Sequence, residues 1–120
     1  MEANPISRQE YIRSVLGAYC KTPGTTGSVR LGDRLLAAEF YRRGVPLIAV
    51  ENALLLAAAR RLFRPADAPP LPTIRSLAYF SPVIDEVLHS HVSQEYFLYL
   101  RRKLDPFEQT APGSATPGGR

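Results

Sequence analysis

Only one cysteine, Cys20, occurs in the 120 residues, which excludes an internal disulfide framework and points to a reducing, cytoplasmic setting. Long apolar runs are missing as well. The longest, Ala53 to Ala59, falls far short of the roughly 20 residues a bilayer-spanning helix needs, and Arg60 and Arg61 follow it at once. Membrane insertion is therefore not expected. Met1 to Arg8 has no apolar stretch behind a basic start, so no signal peptide is expected. No segment alternates apolar and polar residues with period two, and no internal repeat occurs, which leaves little basis for strands or a solenoid.

Catalytic signatures are absent too. There is no G-x-S-x-G elbow, no H-E-x-x-H helix and no Walker-type loop, because no Lys-Ser or Lys-Thr follows the glycines between Thr22 and Gly32. The two histidines, His89 and His91, have a spacing that could offer two imidazoles to a metal, but no second pair exists and Cys20 is remote in sequence. Asp85 and Glu86 are adjacent, so on a helix they diverge by about 100°, which is wrong for a paired acid and base. No catalytic residue, metal or cofactor is expected, and enzyme activity is not expected.

What the chain does have is an ordinary globular balance, 45% hydrophobic and 22% charged, which argues against wholesale disorder and fits one domain with one core. It is also basic, with a net charge of +4, and all but two of its 15 cationic side chains (Lys21 and Lys103) are arginine. Arginine's planar fork suits phosphate and carboxylate recognition, although an arginine bias also arises in GC-rich genomes. The excess falls between residues 7 and 104 rather than in the flanks.

The first helix signal is a capping box, Ser7 with Glu10, followed by an apolar stripe of Tyr11, Val15 and Tyr19. Helix 1 is expected from Ser7 to Tyr19, after a flexible segment over residues 1–6. The Thr-, Gly- and Ser-rich stretch from Lys21 to Gly32 reads as a loop. A second helix, from Asp33 to Arg43 with Leu35, Leu36 and Phe40 inward, stops at Gly44. A third starts at Pro46 and runs to Phe63, apolar around so much of its circumference that it belongs in the middle of the fold.

The four prolines between Arg64 and Thr73 forbid helix and imply an extended crossing. A short helical turn is expected over Ser76 to Phe80, then a fourth helix with Ser81 as its cap, Pro82 first, and Val83, Ile84, Val87 and Leu88 inward. The fifth spans Ser93 to Leu104 with Phe97, Leu100 and Leu104 on one side, and Pro106 ends it. The expected fold is thus all-α, a compact bundle of about five helices over residues 7–104 around a central hydrophobic helix, with a disordered tail over 105–120.

Four features invite a functional reading. Helices 2 and 3 with Gly44 between them resemble a helix-turn-helix in outline. Phe40, however, stands where a small residue normally lets the helices approach, and the base-reading positions would be Pro46, Leu47, Ile48 and Asn52, three of which have no hydrogen-bonding side chain. An αα-hairpin with a buried second helix is the preferred reading. Second come the basic clusters Arg42–Arg43, Arg60–Arg61 with Arg64, Arg75, and Arg101–Arg102–Lys103. They complement helix C-termini in one reading and form a phosphate-tracking surface in the other. Third, Tyr96, Phe97 and Tyr99 precede the last cluster. Phe97 fits the core stripe, which leaves Tyr96 and Tyr99 free, with packing the simpler use and base stacking the other. Fourth, PPLP could dock an aromatic groove, but a spacer explains it without a partner.

The run RRGVPLIAVENALLLAAARR, then a proline-rich spacer and IRSLAYFSPVIDEVL, resembles small and mostly uncharacterised helical proteins of bacterial genomes and mobile elements. More distantly it is similar to the helical C-terminal regions of plasmid and phage replication initiators and of DnaD-like primosome proteins, with Ile74, Ser76, Tyr79 and Phe80 at the places of an I-x-S-x-x-Y-F segment. The chain shows no winged-helix origin-binding domain before that region, as many initiators have. The resemblance implies DNA binding, or contact with replication or transposition proteins. Two expectations follow. The first is a non-enzymatic DNA-associated module that grips phosphates with Arg42, Arg43, Arg60, Arg61, Arg64, Arg75, Arg101, Arg102 and Lys103. The second is a protein-interaction adaptor or homodimer whose arginines only solubilise, meeting its partner through exposed apolar and tyrosine positions of helices 1, 4 and 5.

Overall fold

The computed structural model describes residues 6–90 and 93–108, of which 105–108 by their backbone alone. These form five α-helices: α1 (Arg8–Lys21), α2 (Leu31–Arg42), α3 (Leu47–Leu62), α4 (Ser81–Leu88) and α5 (Gln94–Glu108), with a 3-10 turn over Leu77–Phe80 leading straight into α4. No strand occurs among the described residues, only a single parallel bridge between Thr25 and Ile74. The fold is an all-α bundle.

Local chemistry sets most of the ends. The Ser7 hydroxyl accepts from the Glu10 amide at 3.1 Å, and Ile6, just before the cap, packs against the core. The segment expected to be flexible therefore includes one anchored residue; residues 1–5 lie outside the described residues. Gly44, at φ 78°, adopts the left-handed conformation that closes α2. Ser93 accepts from the Tyr96 amide at 3.2 Å and caps α5.

α1 runs on to Lys21, past the expected end at Tyr19, and Pro46 is the N-cap of α3 rather than its first residue. Three further boundaries differ from the sequence expectation. α2 starts at Leu31, so Asp33 is its third residue and not its first. Ser81 is already helical; the capping serine is Ser76, which accepts from the Ala78 amide at 3.0 Å and opens the 3-10 turn. α5 runs through Pro106 to Glu108 instead of ending at the proline. The remainder of the expected tail, residues 109–120, lies outside the described residues.

α3 is the middle of the bundle, with ten buried residues between Ala49 and Ala59. One of its faces joins Tyr11, Val15 and Tyr19 of α1, Phe40 of α2, Leu77 and Phe80 of the 3-10 turn, and Ile84 of α4. The other face, Leu55, Leu56, Ala58 and Ala59, packs on Phe97, Leu100 and Leu104 of α5. Val83 and Val87 touch both clusters. α2 does not lie along α3 despite the tight turn between them. It leans on α1 and the 3-10 turn. Its inward residues are Asp33, Ala37 and Phe40, so Leu35 points outward with Leu31, the two 62% and 70% exposed. Leu88, expected inside, is also exposed, as are Ile48 and Leu62 at the two ends of α3.

Two long-range polar contacts fasten the layers. The Tyr11 hydroxyl donates to the Val45 carbonyl at 2.8 Å, pinning α1 to the α2–α3 turn, and burial pushes its ionisation up to about 12. The buried Asp33 carboxylate accepts from the Arg30 amide with one oxygen and from the Leu77 amide with the other, both at 2.9 Å. Tyr19, by contrast, buries its hydroxyl without a hydrogen-bond partner, and burial followed by the nearby Asp33 charge raises its pKa.

Candidate phosphate-binding cleft

The basic clusters are divided by their surroundings. Arg42 is tied to Glu39 one turn back, Nε to Oε1 at 2.9 Å, and that hydrogen bond holds the Glu39 carboxyl below its ordinary pKa. Arg60 forms a two-pronged pair with Glu86 of α4, one prong at 2.9 Å, which lowers the pKa of Glu86 in the same way. Arg43 stands 3.9 Å from Asp85. These three arginines already face carboxylates.

Arg61 and Arg64 are spent on the proline crossing. Arg61 donates to the Pro72 carbonyl at 2.7 Å and to the Tyr79 hydroxyl at 3.3 Å, while Arg64 donates to the Pro69 carbonyl at 2.8 Å. Such bonds satisfy carbonyls that an extended, proline-rich backbone cannot pair by itself. Gly24 lies under Arg61 so closely that a Cβ there would stand 3.0 Å from its Nε. The same loop pairs with the crossing, the Ile74 amide donating to the Gly24 carbonyl at 2.7 Å. Arg75 is exposed beside that bridge.

The cluster on α5 fans out. Successive residues turn by about 100°, so with Phe97, Leu100 and Leu104 inward, Arg101 and Lys103 leave by opposite flanks and Arg102 points to solvent. Lys103 lies over the Tyr99 ring at 5.8 Å. Arg101 reaches a cleft of about 470 Å³ between α1, α3 and α5.

That cleft gathers cations the sequence reading did not nominate. Arg13 and Lys21 line it with Arg101, above an apolar floor that includes Leu54 and Leu55, and Glu51 is the single acid. Among the residues whose side chains are described, no carboxylate lies within ion-pair distance of Arg13, Lys21 or Arg101. Arg13, Gly17 and Lys21 follow one line of α1 at i, i+4 and i+8, opposite the buried stripe Tyr11–Val15–Tyr19. A second cavity, about 430 Å³, adjoins the first along Arg13 and Gly17 and adds Arg34, with Cys20 in its lining. Burial and Asp33 push the Cys20 thiol above its ordinary pKa, which keeps it protonated at neutral pH. The sequence signal for this site was the pair of cations spaced two turns apart on the polar side of α1; only the docking of α5 brings Arg101 to it.

Neither the helix-turn-helix outline nor a histidine site gains from the tertiary structure. Asn52 is 5% exposed and donates to Gln94 of α5 at 3.1 Å, so α3 is covered and cannot enter a groove. The His89 ring bonds the Asp85 carbonyl at 2.8 Å, and His91 lies outside the described residues. No group of three potential metal ligands occurs among the described residues, and no described helix is long and apolar enough to cross a membrane.

Fold and site together define an all-α five-helix bundle with a cationic cleft on its α1 side. Comparison of the chain with protein-family models, with curated proteins and with solved structures finds no match.

Proposed function

We propose that the chain is a non-enzymatic, DNA-associated helical module that holds backbone phosphates in the cleft between α1, α3 and α5. The observation that carries this reading is the convergence of Arg13, Lys21 and Arg101, none within ion-pair distance of a carboxylate whose side chain is described, on one cavity of about 470 Å³ in whose lining Glu51 is the single acid. Cations left unpaired at a concave surface concentrate their field there and favour a polyanion. Arg34 extends the strip along α1, and the exposed Arg102 extends it over α5. Arg42 and Arg60 drop out of the expected set because their charge is already satisfied, and Arg61 and Arg64 because they brace the crossing. The resemblance to mobile-element and primosome proteins suggests a replication or transposition setting.

The test is fluorescence anisotropy with a labelled oligonucleotide at increasing salt. Binding is expected at about 50 mM salt, a condition that favours phosphate contacts, and is expected to weaken steeply above it. Replacing Arg13, Lys21 and Arg101 together by alanine removes up to three contacts, so the log–log salt slope should become shallower by roughly 2 for a single strand or 3 for a duplex. Arg42→Ala should leave it unchanged. No binding at low salt, or a triple variant that binds like the parent, overturns the proposal.

One observation favours the adaptor reading instead. Leu31 and Leu35, one turn apart on the outer face of α2, are far more exposed than leucine usually is. This face differs from the helices 1, 4 and 5 expected to carry such contacts. Concentration-dependent sedimentation that Leu35→Lys abolishes would support it.

A further inference from the structure

The flank of α5 away from the cleft carries a different chemistry. Tyr96, Tyr99 and Lys103 climb it at i, i+3 and i+7, and both tyrosines are nearly half exposed. Their rings lie 6.3 Å apart and within 27° of parallel, with the Lys103 ammonium 5.8 Å from the Tyr99 ring centre. Tyr96 also walls a third cavity, about 440 Å³, whose other lining residues are Leu56 and Ala59 of α3, the Arg60–Glu86 pair, and Ser90. An aromatic wall, an apolar floor, and a rim offering both guanidinium donors and carboxylate acceptors thus meet in one concavity.

We propose that this cavity receives an unpaired nucleobase, so that the polyanion the protein binds is single-stranded. The inference rests on the phosphate-binding reading and sharpens it. A base is flat and apolar on its faces and polar at its edge. The Tyr96 wall and the Leu56–Ala59 floor match the faces, and Arg60 with Glu86 matches the edge. Tyr99 offers the next base a second ring. Lys103 then meets the phosphate between the two bases. Arg102, on the solvent side of α5, lies between this flank and the Arg101 cleft, giving one strand a cationic path over the helix. In a duplex each base is held inside the stack, out of reach of such a cavity.

The full chain is tested by anisotropy against a labelled oligothymidine of about 15 nucleotides, alone and annealed to its complement. Single-strand binding is expected to exceed duplex binding. Tyr96→Leu and Tyr99→Leu keep the bulk on α5 but remove the aromatic face. Each should weaken single-strand binding by roughly fivefold or more and leave duplex binding and the urea midpoint unchanged. Intrinsic tyrosine fluorescence should be quenched on binding, a signal readable here because the chain has six tyrosines and no tryptophan. If both leucine variants bind the single strand like the parent while the Arg13/Lys21/Arg101 variant loses it, the base pocket is overturned and the phosphate reading stands. If no oligonucleotide binds, both fall. Self-association that Tyr96→Leu abolishes, with oligonucleotide binding untouched, assigns the face to a second copy and also overturns the pocket.

Discussion

Replacing Asp33 by asparagine tests the account of how the layers are fastened. The carboxylate is 3% exposed, and each of its oxygens accepts one backbone amide at 2.9 Å, Arg30 at the start of α2 and Leu77 in the 3-10 turn. Hydrogen bonds to an ionised acceptor contribute about 1.5–3 kcal/mol each. The substituted side chain would retain one acceptor oxygen and turn its NH2 against the other backbone N–H, so one bond is lost and a buried donor is left facing another. Relief of the buried charge offsets part of this. The expected loss for Asp33→Asn is therefore about 2–3 kcal/mol, a large fraction of the roughly 5–15 kcal/mol that holds a domain of this kind together. Urea titration followed by circular dichroism measures it. Hydrogen exchange adds a local readout, because the amides of Arg30 and Leu77, distant in sequence but joined through one carboxylate, should lose protection together. A loss below about 1 kcal/mol, with both amides still protected, would refute the reasoning.

Two further outcomes follow from single residues. Gly17 sits mid-helix in α1, and a Cβ built there meets nothing within 4 Å. Gly17→Ala should then stabilise the fold by up to about 1 kcal/mol, the helix-propensity difference, seen as a higher urea midpoint; an unchanged or lower midpoint would contradict the open surface. For Tyr11 the neutral phenol is the folded form, with a pKa near 12 against an ordinary 10. Its contribution is complete below about pH 10 and is lost as pH rises towards about 12, because the unfolded phenol ionises first, at roughly 1.4 kcal/mol per pH unit. Stability measured over that range should fall less steeply for Tyr11→Phe than for the parent, and identical slopes would count against it.

The sequence by itself determined the helices. Ser7 with Glu10, Gly44, Pro46, Pro82 and Ser93 act within a turn or two of their own positions, and the 3.6-residue rhythm of Tyr11–Val15–Tyr19 or Phe97–Leu100–Leu104 names the buried side without reference to any other element. The same rhythm marked α3 as central, because a helix apolar on most of its surface can only be covered. In α2 docking overruled the expected stripe: the helix leans on α1, so Ala37 went inward and Leu35, expected inside, outward.

Charge was decided by tertiary structure almost throughout. Arg60 meets a carboxylate 26 residues away, and Arg61 and Arg64 find carbonyls of a crossing whose path no local pattern specifies. The contiguous Arg101–Arg102–Lys103 splits three ways around α5, whereas Arg13 and Lys21 of the first helix share one cleft with Arg101 of the last. The reason is physical. Hydrogen-bonded backbone and apolar periodicity act over neighbouring residues, but whether a cation is free or neutralised depends on atoms within about 4 Å, and those are supplied by whichever helices pack beside it.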